Sequence, residues 1–156
     1  MYTWLLAILQ WLHILGGIFW FGAALTADFI VLPVVQSLPR AAQPAFIGAL
    51  GKRGEKIIVP VAAMTILLGV VRGVAGGVLS SLTTPYGVTW MAAFIAGTSL
   101  LLFGVRILTP AANRVLAMPP GPAFDAALPR IRNMTLAEMG GFLVILVLMI
   151  AMRFGY

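Results

Sequence analysis

Residues 4–32, WLLAILQWLHILGGIFWFGAALTADFIVL, decide the fold class of this chain. The titratable side chains in this stretch are His13 and Asp28, and nearly every other position is apolar or small. A helix rises about 1.5 Å per residue, so about 20 apolar residues cross the ~30 Å hydrocarbon core of a bilayer. The stretch therefore predicts a helix that crosses a membrane.

The composition of the whole chain points to the same solvent. Of its 156 residues, 62% are apolar and 9% are charged, against roughly 45–50% and roughly 25% in soluble domains. These values exclude a disordered chain and a water-soluble bundle, and the length suits a single membrane domain over residues 1–156. The chain has no cysteine, which excludes disulfides, thiolate metal sites and cysteine nucleophiles.

Three more apolar runs follow the first, at about 57–79, 88–108 and 136–152. The four spans predict an all-α integral membrane protein, a four-helix antiparallel bundle in up-down-up-down order, because short links join antiparallel neighbours. We expect Thr135 and Glu138 to form a capping box at the start of the fourth span. Residues 41–50 suit a short helix that lies on the inner membrane surface.

The basic residues indicate how the spans are oriented. They concentrate in the links between spans one and two and between spans three and four: Arg40, Lys52, Arg53, Lys56, Arg114, Arg130 and Arg132. Because Lys and Arg are enriched on the cytoplasmic side of a membrane, we expect both links inside and both termini outside. The net charge of +6 then reflects topology and contact with anionic lipid, and we expect no nucleic-acid partner.

One stripe of the first helix carries His13, Gly17 and Trp20, at positions i, i+4 and i+7. His13 lies about 13 Å inside the predicted outer boundary. An ionisable group at that depth is costly and is a functional hypothesis by default. Two interpretations stay open: a ligand for a metal or cofactor, and a neutral imidazole bonded to a neighbour such as Thr65 or Thr98.

Arg72 lies about 10 Å inside the same boundary and keeps its charge, because a guanidinium is not deprotonated in proteins. The four acids of the chain fall at or beyond the inner edge of the predicted spans: Asp28, Glu55, Asp125 and Glu138. Arg72 therefore either reaches outward to lipid phosphate or holds a bound anion such as a cofactor carboxylate. At the inner edge we expect Asp28, Arg106 and Glu138 to form an ion-pair network.

The second span repeats glycine at four-residue spacing, at Gly69, Gly73 and Gly77. A face without side chains lets another helix approach closely, which is the first interpretation. A face kept bare for a flat cofactor is the alternative. The stripe also favours lateral association, so we expect a homo-oligomer or a partner within a membrane complex.

Catalytic motifs are missing from the sequence. It has no Gly-rich phosphate loop, no paired catalytic carboxylates and no nucleophile with a nearby base, so it gives no positive case for an enzyme. The eight methionines are typical of gap filling in an apolar bundle. Copper binding by methionine is the less favoured interpretation of them.

The segment WLHILGGIFWFG, residues 11–22, resembles the opening of the copper resistance D (CopD)-like membrane families. There a first helix carries a histidine, a small-residue stretch and a Trp-x-Gly. Pro33 with Val34-Val35, and then Gly51-Lys52-Arg53 leading into a helix with Thr65 and Gly69, is similar to the continuation in the short, four-helix members. The similarity extends to about position 115.

This resemblance implies a bacterial inner-membrane bundle that handles copper or, as in the related HemJ-type protoporphyrinogen oxidases, binds b-type haem. His13 is the residue that maps onto a family ligand position. HemJ-like proteins also use an intramembrane lysine in a later helix, and the third span has none from Trp90 to Gly104, so that activity does not carry over. Full CopD proteins are larger and carry additional histidines.

The residues and the resemblance together make haem b the first expectation for a cofactor. His13 would bind the iron, Gly17 and Trp20 would lie beside the macrocycle, and Arg72 would meet a propionate. Bare glycine faces on the first two helices would leave room for the ring. Copper handling through His13 is the alternative, and a cofactor-free accessory or scaffold subunit of a membrane complex is the third possibility.

Cysteine labelling tests the predicted orientation, since the chain has no cysteine of its own. A Ser81→Cys variant should react with a membrane-impermeant maleimide in intact cells. An Arg132→Cys variant should react only after the membrane is opened. Modification of position 132 from outside intact cells would contradict the orientation.

Overall fold

The computed structural model describes residues 2–119 and 121–156, and no strand occurs in them. The α-helices of this part of the chain are α1 (Tyr2–Thr26), α2 (Leu32–Ser37), α3 (Gln43–Ala75), α4 (Pro85–Phe103), α5 (Thr109–Leu116) and α6 (Pro122–Arg153). A π-helical turn, Ala27–Val31, joins α1 to α2, and a second, Gly104–Leu108, joins α4 to α5. A 3-10 turn, Val78–Ser81, lies between α3 and α4.

These elements make four long helices, because each π turn continues its helix without a break. α1 packs mainly on α3 and α4 mainly on α6, while contacts of α3 with α4 and of α1 with α6 complete the bundle. The predicted all-α four-helix bundle is confirmed, and each long helix is apolar enough to cross a membrane. We name the halves by the predicted orientation: the outer half holds the 3-10 turn and both chain ends, and the inner half holds α2 and α5.

Each π turn ends two residues before a proline, Pro33 in the first span and Pro110 in the third. Proline lacks an N–H, and its ring clashes with the carbonyl four residues earlier. In each span that carbonyl belongs to the π turn, where hydrogen bonds reach back five residues instead of four. The wider turn removes the clash, so the helix continues past the proline toward the inner end.

Two expectations for the inner links are wrong. Residues 41–50 do not form a separate surface helix, because from Gln43 onward they are the first turns of α3. Thr135 does not cap the fourth span; it lies inside α6, which begins at Pro122, and its Oγ1 donates to the carbonyl of Arg132 over 2.9 Å. Outside the bilayer, helical hydrogen bonding continues through polar residues, so hydropathy alone placed these helix starts too late.

The buried core lies at mid-bundle and is small. Trp20, Ala62, Leu100, Met139 and Phe142 form it, with contributions from all four spans. The indole of Trp20 meets the ring of Phe142 edge-on, with the ring centres 5.1 Å apart. Most other large apolar side chains are exposed, which is the arrangement that a lipid solvent allows and water does not.

The glycines of α3 allow close packing within the chain, in agreement with the first interpretation of the stripe. A side chain at Gly69 would collide with the imidazole of His13, and one at Gly73 with the indole of Trp90. Gly77 lies beyond the helix, where its φ of +85° supplies the left-handed turn toward α4. Rings from neighbouring helices therefore fill the positions that glycine leaves open.

Replacing Gly73 by alanine should lower the stability of the bundle. The new Cβ would meet the Trp90 indole, and overpacking typically costs about 1–3 kcal/mol. Gly140→Ala is the matched control, because its Cβ would point into open space. Thermal unfolding in mild detergent should place Gly73→Ala below the native midpoint and Gly140→Ala at or above it; equal midpoints would contradict this packing.

Candidate functional site

His13 is held by the backbone of the second span. Its Nδ1 lies 2.8 Å from the carbonyl oxygen of Thr65. A carbonyl only accepts, so Nδ1 carries the proton, and in the neutral ring Nε2 keeps a free lone pair. His13 is half-buried, which leaves part of its surface reachable from outside the bundle.

Small residues on both helices make this contact possible. Gly69 offers no side chain where the imidazole lies, and a Cβ there would fall 2.8 Å from Cε1 of His13. Gly16 likewise leaves room for the hydroxyl of Thr65, whose Oγ1 donates to the carbonyl of Val61 over 2.8 Å. The hydrogen-bonded histidine considered from the sequence is therefore present, with Thr65 as the partner.

Thr98, the other partner considered for His13, does not fill that role. Its Oγ1 is buried without a hydrogen-bond partner in the described residues.

The structure separates the predicted stripe of α1 into two environments. Gly17 faces α3, where an added Cβ would lie 4.0 Å from Cγ2 of Thr65. Trp20 is 8% exposed and belongs to the mid-bundle core with Phe142. His13 and Gly17 thus share a neighbour on the second span, while the Trp20 ring packs against the fourth.

Arg72 lies less than one turn of α3 beyond Gly69 and therefore on the outer side of His13. Its guanidinium folds over Gly76 of the same chain segment. The Nε atom is buried without a hydrogen-bond partner, and Arg72 forms no ion pair within the described residues. No acidic residue lies at the depth of Arg72 in the sequence, and among the described residues Arg72 also has no anionic partner.

The inner half contains a cavity of about 1240 Å³ that the sequence did not reveal. All four spans line it, from Trp20 and Leu100 at the mid-bundle core down to Arg132 on α6. Both π turns contribute to its wall. Two features of the sequence could have indicated this cavity: the prolines near the inner ends of spans one and three, and the confinement of the acidic residues to the same half.

The predicted network of Asp28, Arg106 and Glu138 does not form. Asp28 and Glu138 line the cavity, whereas Arg106 is exposed and lies outside it. The prediction rested on the shared depth of the three residues, and depth does not say which face of its span a residue occupies. In the described residues the ion pair is Arg40 with Asp125, 3.8 Å apart and largely exposed.

The residues described contain no group of three or more His, Cys, Asp or Glu side chains able to hold a metal ion. A metal at His13 would therefore need ligands of another kind, such as a macrocycle, a methionine or a second chain.

Comparison with known proteins gives no neighbour. No family model, curated protein or solved structure matches the chain. The resemblance to the CopD-like and HemJ-like families therefore stays a prediction.

The contact of His13 with Thr65 predicts the tautomer of the imidazole. Because the chain has one histidine, ¹⁵N-histidine labelling gives the spectrum of a single ring. We expect a proton on Nδ1 and none on Nε2. Gly69→Ala should shift both nitrogen resonances and Gly140→Ala neither, since only the first adds a Cβ beside the ring; an Nδ1 without a proton in the native protein would contradict the contact.

Proposed function

We propose that this protein is a multi-pass protein of the bacterial inner membrane that binds haem b through His13 and acts in redox chemistry or haem handling. The observation that carries the proposal is the orientation of His13. Metal-ligating histidines usually donate the N–H of their other ring nitrogen to a carbonyl or carboxylate, which fixes the tautomer and the ring orientation. The bond from Nδ1 to Thr65 supplies that support and directs Nε2 to the ligand role.

Arg72 favours haem over a bare metal ion. A buried guanidinium nitrogen without a partner calls for an acceptor, and a carboxylate gives a strong, charge-assisted bond. Arg72 follows Gly69, the residue under the His13 ring, by three positions, about 4.5 Å along the helix axis. The haem propionates would provide the anion that the described residues do not offer Arg72.

The filled glycine positions restrict where a haem would lie. His13 and Trp90 occupy the space over Gly69 and Gly73, so the macrocycle has no place between α1 and α3. It would reach His13 from the open side of the bundle, against exposed apolar side chains or against another subunit. A bound haem would supply one-electron chemistry. His13 would supply the nitrogen ligand, and Arg72 would supply the cation for a propionate.

Copper handling remains the alternative, because a copper ion at Nε2 needs no room for a macrocycle. A cofactor-free accessory or scaffold subunit is the third candidate, since the bond to Thr65 also satisfies a structural histidine. We also propose that the protein forms a homo-oligomer or joins a membrane complex, and that both of its termini face outward. The glycine stripe does not support oligomer formation, because Gly69 and Gly73 already contact rings of the same chain.

The absorption spectrum of protein purified after haem-replete expression separates these candidates. We expect a Soret band that shifts on reduction and is lost in His13→Ala. Arg72→Gln should keep the band but lower haem affinity about tenfold, because one charge-assisted bond is lost. Gly140→Ala is the control for purification and fold.

Each other outcome overturns the haem proposal in a defined way. Stoichiometric copper without porphyrin would establish the copper alternative. A colourless, metal-free protein of native fold would establish the accessory role. A Soret band retained in His13→Ala would remove His13 as the ligand.

A further inference from the structure

The inner cavity lies on the other side of the Trp20 core from His13 and has no part in the haem proposal. Its volume of about 1240 Å³ exceeds the roughly 300–1,000 Å³ of ordinary small-molecule pockets. Its walls are mainly alkyl and aromatic groups from all four spans, including Phe19, Ile58 and Leu101. The space suits an apolar body larger than an ion.

Charge is distributed unevenly around this cavity. All four acidic residues of the chain line it, and so does one of the ten basic residues, Arg132. The protein as a whole has a net charge of +6, so this wall is opposite in sign to the rest of the molecule. Such focusing of one sign of charge in a low-dielectric cleft attracts a ligand of the other sign.

Two of the acids lie within the spans and lack a cationic partner. Asp28 and Glu138 are both half-buried and line the same cavity, and neither forms an ion pair in the described chain. The Oδ2 atom of Asp28 is buried with no hydrogen-bond partner. The remaining two acids are more exposed, and Asp125 is already paired with Arg40.

The backbone around these carboxyl groups includes a glycine and two π turns. A Cβ at Gly104 would lie 3.3 Å from Oε1 of Glu138, so the glycine lets that carboxyl group lie close against the third span. Asp28 lies in one π turn and Gly104 begins the other. Such turns recur at functional sites, and irregular backbone at membrane depth is tolerated where it lines a cavity.

We infer that this cavity binds an amphiphilic organic cation, with its charge at Asp28 and Glu138 and its apolar body against the walls. A bare metal ion does not fit, because divalent ions need more oxygen ligands and the described residues hold no metal cluster. An anionic lipid headgroup would be repelled by the two carboxylates. A neutral apolar molecule would use the apolar walls but would leave these two acids without a counter-charge.

Binding of tetraphenylphosphonium to the full chain in phosphatidylcholine nanodiscs tests this inference. Tetraphenylborate is the matched probe, because it has the same size and shape and the opposite charge. We expect saturable binding of the phosphonium in titration calorimetry and none of the borate. Equal binding of both ions would show apolar partition alone and overturn the inference.

Isosteric variants then locate the charge. Asp28→Asn and Glu138→Gln should each weaken phosphonium binding about tenfold, the loss of one charge-assisted contact. Asp125→Asn removes the same charge from the cavity wall at a residue paired with Arg40 and should change affinity less than twofold. His13→Ala should bind the phosphonium normally, which separates this site from the haem proposal.

Three further results would also refute the inference. The first is that native protein with a normal circular dichroism spectrum shows no saturable phosphonium binding. The second is that Asp125→Asn weakens phosphonium binding as much as Asp28→Asn does. The third is that the Asp28→Asn, Glu138→Gln double variant binds the phosphonium as tightly as the native protein. A lipid retained by the protein in native mass spectrometry that the phosphonium does not displace would assign the cavity to lipid instead.

Discussion

Hydrocarbon offers no hydrogen-bond partner to a peptide group, and the rest of this structure depends on that constraint. Every backbone N–H and C=O within the bilayer must be satisfied by the chain itself, so each span is helical from end to end. Pro33 in span one and Pro110 in span three do not break their helices, and a π turn lies shortly before each. The same constraint makes every polar side chain at depth an exception that needs a partner, as His13 has in the carbonyl of Thr65.

The two halves of the bundle solve the packing problem differently. In the outer half, glycines of α3 accept the rings of His13 and Trp90, so the first three spans lie close together. In the inner half, the π turns and the residues that follow them line an open cavity. Because lipid is as apolar as the helix surfaces, no hydrophobic force closes such a space, and close packing is found where small residues permit it.

Two polar centres follow from this division, and the Trp20–Phe142 core lies between them. The outer centre combines an imidazole oriented by a backbone carbonyl with a buried guanidinium nitrogen, a pair suited to a metal and an anion. The inner centre combines two carboxyl groups with apolar walls, a pair suited to an organic cation. Their opposite charge preferences and their separation along the bundle axis mean that one ligand does not satisfy both.

The sequence by itself determined the all-α fold class, the four long apolar helices and the confinement of the acids to one half. These features depend on composition and order along the chain, which hydropathy and helical rise express directly. Only the tertiary structure decided that Thr65 holds His13, that Trp20 belongs to the core, that Arg106 turns away from Glu138 and that a cavity opens beside Asp28. Each of these depends on which helix faces which and on the extra residue in each π turn. A regular 3.6-residue repeat in the sequence shows neither which helices face each other nor where the extra residue falls, because lipid-facing and bundle-facing positions are equally apolar.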